Sequence, residues 1–364
     1  MVHALRSRTE LRLRGRSPAA LPRGLIVLLG TAGAVVTVGG MRAIAGLLAP
    51  VFLALMLAVT VGPISGWLRR RGAPVWVAVL ATVSTVYLLL LGLGAALAVS
   101  VARLVELMPS YAGRFAALHD DVVRALAGVG IDADQIRTVL DQVTDPGSVA
   151  HLVGFVFGGV SAALSNALLL LALLLFMCLD AVNLPERLRR TAAERPQIVG
   201  ALTGFAGGTR RYLLVSTVFG LIVAVIDTLM LWPLGVPLPV LWGLLAFITN
   251  YIPNIGFIVG LVPPALLALL EGGTSRMLTV IALYCLVNFV VQSVVQPKIV
   301  GDAVGLSTTV SFLSLVFWAW VLGPLGALLA IPLSLLAKGL LVDIDPSTRW
   351  INALLSGGPA RPGD

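Results

Sequence analysis

The residue with the most pointed chemistry in this sequence is a carboxylate inside an apolar run. Asp227 lies within residues 213–231, and no Lys or Arg stands three or four residues away on either side to neutralise it. A carboxylate at that depth in lipid is protonated, paired across helices or facing water. Coupling of transport to a proton or a cation fits this position. So does a carboxylate that reaches headgroup water, five residues before Trp232.

Side-chain amides come next. Asn288, Gln292 and Gln296 recur at i, i+4 and i+8, which places them on one helix face as a polar stripe or as partners for another helix. Two apolar stretches, 238–270 and 306–340, are broken in the middle. The breaks are Asn250-Tyr-Ile-Pro253-Asn-Ile-Gly256 and Gly323-Pro324-Leu-Gly326, followed by Pro263 and Pro332 in an imperfect internal repeat. Each stretch exceeds 30 residues, about 50 Å as one helix, against a hydrocarbon core of about 30 Å. Irregular backbone at membrane depth is tolerated only where it is buried in protein or faces a wet cavity. Transporters use such breaks to offer helix ends and free carbonyls to a solute or ion. The plainer reading of both is a tight turn, with Pro removing a donor and Gly permitting an unusual backbone conformation.

Other chemistry is poorly supported. There is no Gly-rich phosphate loop, no His-Glu-x-x-His and no spacing that supports a Ser-His-Asp arrangement. Cys178 and Cys285 sit in apolar runs, and His3, His119 and His151 make no metal-ligand pattern. The expectation is a protein that is not an enzyme, holds no cofactor or metal, and works without ATP.

These residues need apolar helices to position them, and the composition supplies little else. The chain has 364 residues, 58% hydrophobic and only 12% charged, against about 25% charged in soluble domains. That excludes a disordered chain and places the protein in lipid. The net charge of +8 comes from arginines between apolar runs, the pattern of membrane loops and not of a nucleic-acid groove. The fold class expected is an all-α polytopic membrane protein of about eight membrane segments, two of them broken or re-entrant, with a small extramembrane helical insert.

The expected organisation is a basic tail over 1–23 and three membrane helices over 24–102. A helical segment outside the bilayer follows over 103–150, with four Arg against seven acids, and Asp132 caps a helix over 133–143. Residues 151–211 give a fourth membrane helix and an amphipathic, headgroup-contacting linker. A core over 212–340 contains the broken segments 238–270 and 306–340, and a tail covers 341–364. Arginine clusters at 6–23, 69–71 and 187–211 belong on the cytoplasmic side, which puts both termini in the cytoplasm. Charge alone allows six crossings with two hairpins or eight crossings.

The segments from Leu234 onward resemble the autoinducer-2 exporter family. The resemblance rests on Leu234-Gly-Val-Pro237 with Trp242 through Gly256, on Gln296-Pro297-Lys-Ile-Val-Gly301 with Gly305-Leu-Ser, and on Gly323-Pro324-Leu-Gly326 with Ile331-Pro332. It covers most of residues 20–345. It implies a secondary transporter of the inner membrane with about eight segments, and a homo-oligomer, with a pentamer implied by resemblance only. The implied cargo is a small polar solute such as autoinducer-2, or a monovalent cation exchanged for protons. Asn250, Pro253, Gly256, Gln296, Pro297, Gly301 and Pro324 carry over as family features. Asp227 matches no motif and rests on its own chemistry. A membrane scaffold that transports nothing is the remaining alternative, and lipid is the expected surrounding partner.

Overall fold

The computed structural model describes residues 22–127, 167–253, 255–296, 306–345, 348 and 350–355. Among these residues every regular element is a helix. The chain divides into two units, 1–45 and 46–364. In the first, α1 (Arg23–Ala43) is an apolar helix with Arg42 in its last turn.

The second unit begins with α2 (Ala45–Arg70), which carries Pro50 and Pro63 and ends at Arg69 and Arg70. α3 (Val75–Ala127) follows, 53 residues long. At 1.5 Å per residue that is about 80 Å, more than twice a hydrocarbon core. The helix continues without a break across 102/103, where the sequence places the exit from the bilayer. Apolar residues continue at helical spacing beyond Arg103, and the helix runs on through Pro109. The cap at Asp132, its helix over 133–143 and the first part of the run from His151 lie outside the described residues.

α4 (Ala167–Ala181) packs with α2 and α3 around Ala58, Val79, Val83, Val86, Leu174 and Cys178. A bend of 59° then leads to α5 (Leu184–Glu194), which buries no residue. There Glu186 pairs with Arg189 and Arg190. α6 (Pro196–Leu231) follows as one helix of 36 residues, so the expected division at 211/212 falls inside an unbroken element. Its proline sits in the first turn, where a missing N–H is harmless, and no other proline interrupts it.

α6 is the strut against which both broken segments fold. The first segment opens with α7 (Pro239–Thr249) and α8 (Gly256–Asn288). Ile252 N–H bonds the Thr249 carbonyl (2.8 Å) and Gly256 N–H bonds the Ile252 carbonyl (3.1 Å), and a Cβ on Gly260 would lie 3.6 Å from Ala246 Cα, so α8 returns along α7. α8 is itself broken at Gly272 and Gly273, the latter at φ 70°. That left-handed backbone suits glycine. Phe257 and Gly260 before this break, and Tyr284 and Asn288 after it, border one cavity. The chain thus doubles back again at the two glycines, and 274–288 continues into a π-helical turn, Phe289–Val295.

The second broken segment also folds on itself. α9 (Thr308–Leu322) ends at Gly323 with φ 72°. α10 (Pro324–Leu328) and α11 (Ala330–Lys338) return along it, and Trp318 Nε1 donates to Ser334 Oγ at 3.0 Å. Leu335 packs on Gly208 of α6. The first hairpin thus uses the C-terminal half of α6 and the second uses its N-terminal half. The protein is an all-α, multi-pass membrane protein. Four of the described helices are long and apolar enough to cross, and five if the bent α4–α5 pair is one span.

Candidate functional site

The cavity lies where α6, the tip of the first hairpin and the returning arm of α8 converge. Val223 and Asp227 of α6 line it, with Ala246, Thr249 and Asn250 of the hairpin, Phe257 and Gly260 of the first arm of α8, Tyr284 and Asn288 of the second, and Gln292 of the π-helical turn that follows. Its volume is about 10 Å³, room for about one water molecule.

Asp227 is fully buried, and both carboxylate oxygens lack a hydrogen-bond partner within the protein. The Tyr284 hydroxyl, on a residue 1% exposed, is likewise unpartnered. Buried polar atoms are nearly always satisfied, so unmet ones around a small void point to an occupant. Pro264, four residues after the cavity-lining Gly260, brings no N–H to the Gly260 carbonyl, so the usual helical bond is missing there.

The amides form a chain across the other wall. Asn250 Nδ2 donates to the Ser216 carbonyl of α6 at 2.9 Å. Gln292 Nε2 donates to Asn288 Oδ1 at 2.8 Å and reaches Asn250 Oδ1 at a long 3.4 Å. Asn288 Nδ2 donates back to the Tyr284 carbonyl at 3.0 Å. The tip has two more anchors on α6. Tyr212 OH donates to the Tyr251 carbonyl and Thr217 Oγ1 meets Tyr251 OH, both at 2.7 Å.

Close approach of the helices depends on missing side chains. A Cβ on Gly220 would lie 2.9 Å from Asn250 Nδ2. One on Gly243 would overlap Thr228 Oγ1, and one on Gly256 would overlap the Thr249 carbonyl.

Of the residues singled out in the sequence, Asp227, Asn250, Asn288 and Gln292 meet at this cavity. Pro253 and Gly256 shape the hairpin turn beside it. Gln296 follows the π-helical turn and does not line the void. Pro324 opens α10 in the second hairpin, apart from the cavity lining. Pro297 and Gly301 lie outside the described residues. Among the described residues no group of three or more His, Cys, Asp or Glu could hold a metal ion.

Sequence reasoning missed Tyr284, Ser216 and Gly220. A signal existed: Tyr284 extends the Asn288–Gln292 stripe by one turn, and Tyr212, Ser216, Gly220 and Asp227 fall on one face of α6.

The family model described as "AI-2E family transporter" matches residues 25–344. The chain belongs to the AI-2E transporter family. Among curated relatives, the AI-2 transport protein TqsA of Escherichia coli K12 is 33% identical over 316 residues, covering 86% of this chain and 90% of that one. The putative transport protein YhhT of the same strain is 31% identical over 340 residues, covering 93% and 96%. A putative transport protein of Haemophilus influenzae is 28% identical over 335 residues, covering 90% and 95%. With its apolar helices, this AI-2E chain is a secondary, non-ATP transporter of the inner membrane, crossing it several times. The scaffold alternative gives way to the family.

Proposed function

We propose that this chain exports a small polar solute such as autoinducer-2, and that the solute passes between α6, the tip of the first hairpin and the arm 274–295. One observation carries the reading: a carboxylate, a phenol and three side-chain amides converge on one small void among apolar helices. The relative named as an AI-2 transport protein supports the choice of solute. A void the size of one water cannot hold an organic solute, so this conformation is closed and passage requires the hairpin tip to part from the arm.

The topology we propose has six crossings and two re-entrant hairpins, eight membrane segments in all, with both termini cytoplasmic. α7, at 11 residues, is about 17 Å long and too short to cross. The arginines at 69–71 and 187–195 then fall on the cytoplasmic side and the far end of α3 on the other. Assembly as a homo-oligomer, a pentamer by family resemblance, belongs to the same proposal.

A second reading is exchange of sodium or lithium for protons. The two partnerless oxygens of Asp227 favour it, since a carboxylate in a water-sized void suits a proton or a small cation.

The test is efflux from sealed vesicles holding the purified protein. Autoinducer-2 release and internal pH are followed under an imposed pH gradient, with and without sodium or lithium, for wild type and Asp227→Asn. Signal release indifferent to both cations supports export. Proton movement that needs the cation and vanishes in the variant replaces export with antiport.

A further inference from the structure

Gln292 occupies a position unlike that of the other cavity residues. Asp227, Thr249, Gly260 and Tyr284 are buried and Asn250 and Asn288 are half-buried, whereas Gln292 is exposed while still lining the void. It therefore stands between Asp227 and the outside of the bundle. Its two contacts are unequal. The bond to Asn288, on its own arm, is 2.8 Å, and the contact to Asn250, on the hairpin tip, is 3.4 Å. Asn250 is in turn held on α6 by its 2.9 Å bond to the Ser216 carbonyl. The longest of the amide hydrogen bonds at the cavity is thus the one between Gln292 and Asn250.

The backbone under Gln292 is also unusual. Residues Phe289–Val295 form a π-helical turn in an arm that is otherwise α-helical. Such turns hold one residue more than an α turn and recur at functional sites. Returning it to α geometry shifts the residues beyond it by one position, about 1.5 Å along the axis and about 100° around it. Gln292 lies within this turn, so the same change would alter its position against Asn250.

We propose that Gln292 is the gate of the Asp227 cavity, closed by its contact with Asn250 and carried by a π-helical turn whose return to α geometry opens it. The proposal rests on the reading that this cavity lies on the transport path. It assigns Gln292 a positioning role, controlling access to the site.

Access can be measured without any solute. A water-soluble carbodiimide modifies carboxyl groups it can reach, and peptide mass spectrometry reports the rate at Asp227 in the purified full chain. Asp227 in wild type should react slowly. Gln292→Ala should raise the rate by about tenfold, the ratio expected when a contact worth about one hydrogen bond no longer holds the site shut. Asn250→Ala removes the other half of that contact and should do the same, which covers the case in which Gln292→Ala fails to fold. Exposed carboxylates such as Glu186 should react equally in all variants. Equal Asp227 rates in wild type and in the folded variants overturn the gate. If autoinducer-2 efflux fails while labelling accelerates as stated, export falls and the gate stands; efflux with unchanged labelling gives the reverse.

Discussion

Arg210 donates from Nε to the carbonyl of Val59, 3.2 Å away on α2. Pro63 stands four residues after Val59 and has no N–H to offer that carbonyl. A half-buried arginine on α6 thus takes over the donor that a proline removed from another helix. The pair ties α6, the strut of both hairpins, to the α2–α3–α4 cluster.

The pairing makes a double-mutant cycle decisive. Arg210→Met should destabilise the wild-type protein by about 1–3 kcal/mol, the usual range for a lost hydrogen bond to a charged group. Pro63→Ala gives Val59 a helical partner, so Arg210→Met in that background should cost clearly less. Thermal unfolding of the four detergent-solubilised proteins measures the coupling. Equal costs in both backgrounds would show that Arg210 acts through some other contact.

Gly220 and Asn250 provide a second coupled pair. A methyl on Gly220 would stand 2.9 Å from Asn250 Nδ2 and 3.2 Å from its Cβ. Gly220→Ala should therefore push the hairpin tip off α6, costing about 1–3 kcal/mol as overpacking does, and should depress transport. Asn250→Ala removes the nearer atoms, so the added penalty of Gly220→Ala should shrink in the double variant. Unfolding midpoints and vesicle efflux, taken together, check both parts.

The sequence was informative where chemistry is rare and uninformative where geometry decides. Asp227 and the amides at 250, 288 and 292 stood out because polar groups are scarce in runs this apolar. Their meeting at one cavity was not readable, because it depends on two chain reversals. The reversal over 250–255 was announced by Pro253 and Gly256. The one at Gly272–Gly273 carries no proline, and nothing local shows that Gly260 and Tyr284 face each other. The boundaries at 102/103 and 211/212 follow changes in charge and mark expected membrane exits, and charge does not stop a helix. α3 and α6 run through both because no breaker stands there. The π-helical turn has no sequence mark, and Gln296 beyond it does not line the cavity.

At the far end of the first hairpin, Glu271 receives two donors from α3. Tyr111 OH donates to Oε1 at 2.5 Å and Arg114 Nη1 pairs with Oε2 at 3.0 Å. The two differ in burial: Tyr111 is 4% exposed, while the Arg114 side chain is 51% exposed. An exposed ion pair is worth about 0–1 kcal/mol and is screened by salt, whereas a buried donor left without its acceptor costs about 1–3 kcal/mol. Glu271→Ala should therefore destabilise more than Arg114→Gln, and only the smaller Arg114 effect should fade at high salt. Unfolding midpoints at low and high ionic strength test the order. An Arg114 effect equal to that of Glu271 would place the weight of this joint on the ion pair.

Asp227 is where stability and function should part. Its carboxyl is fully buried and both oxygens are without partners, an arrangement that a fold selected for stability alone would not keep. Asn is nearly isosteric and carries no charge, so Asp227→Asn should unfold at a temperature no lower than wild type. The same substitution removes the group able to hold a proton or a cation in the void, and transport should fall sharply. Asp227→Glu keeps the carboxyl but adds a methylene to a cavity of about 10 Å³, so it should lose stability through overpacking. Unfolding midpoints and vesicle flux on the three proteins separate the two roles. A large drop in midpoint for Asp227→Asn would make the carboxyl structural, whereas an unchanged midpoint with lost flux places it in the transport chemistry.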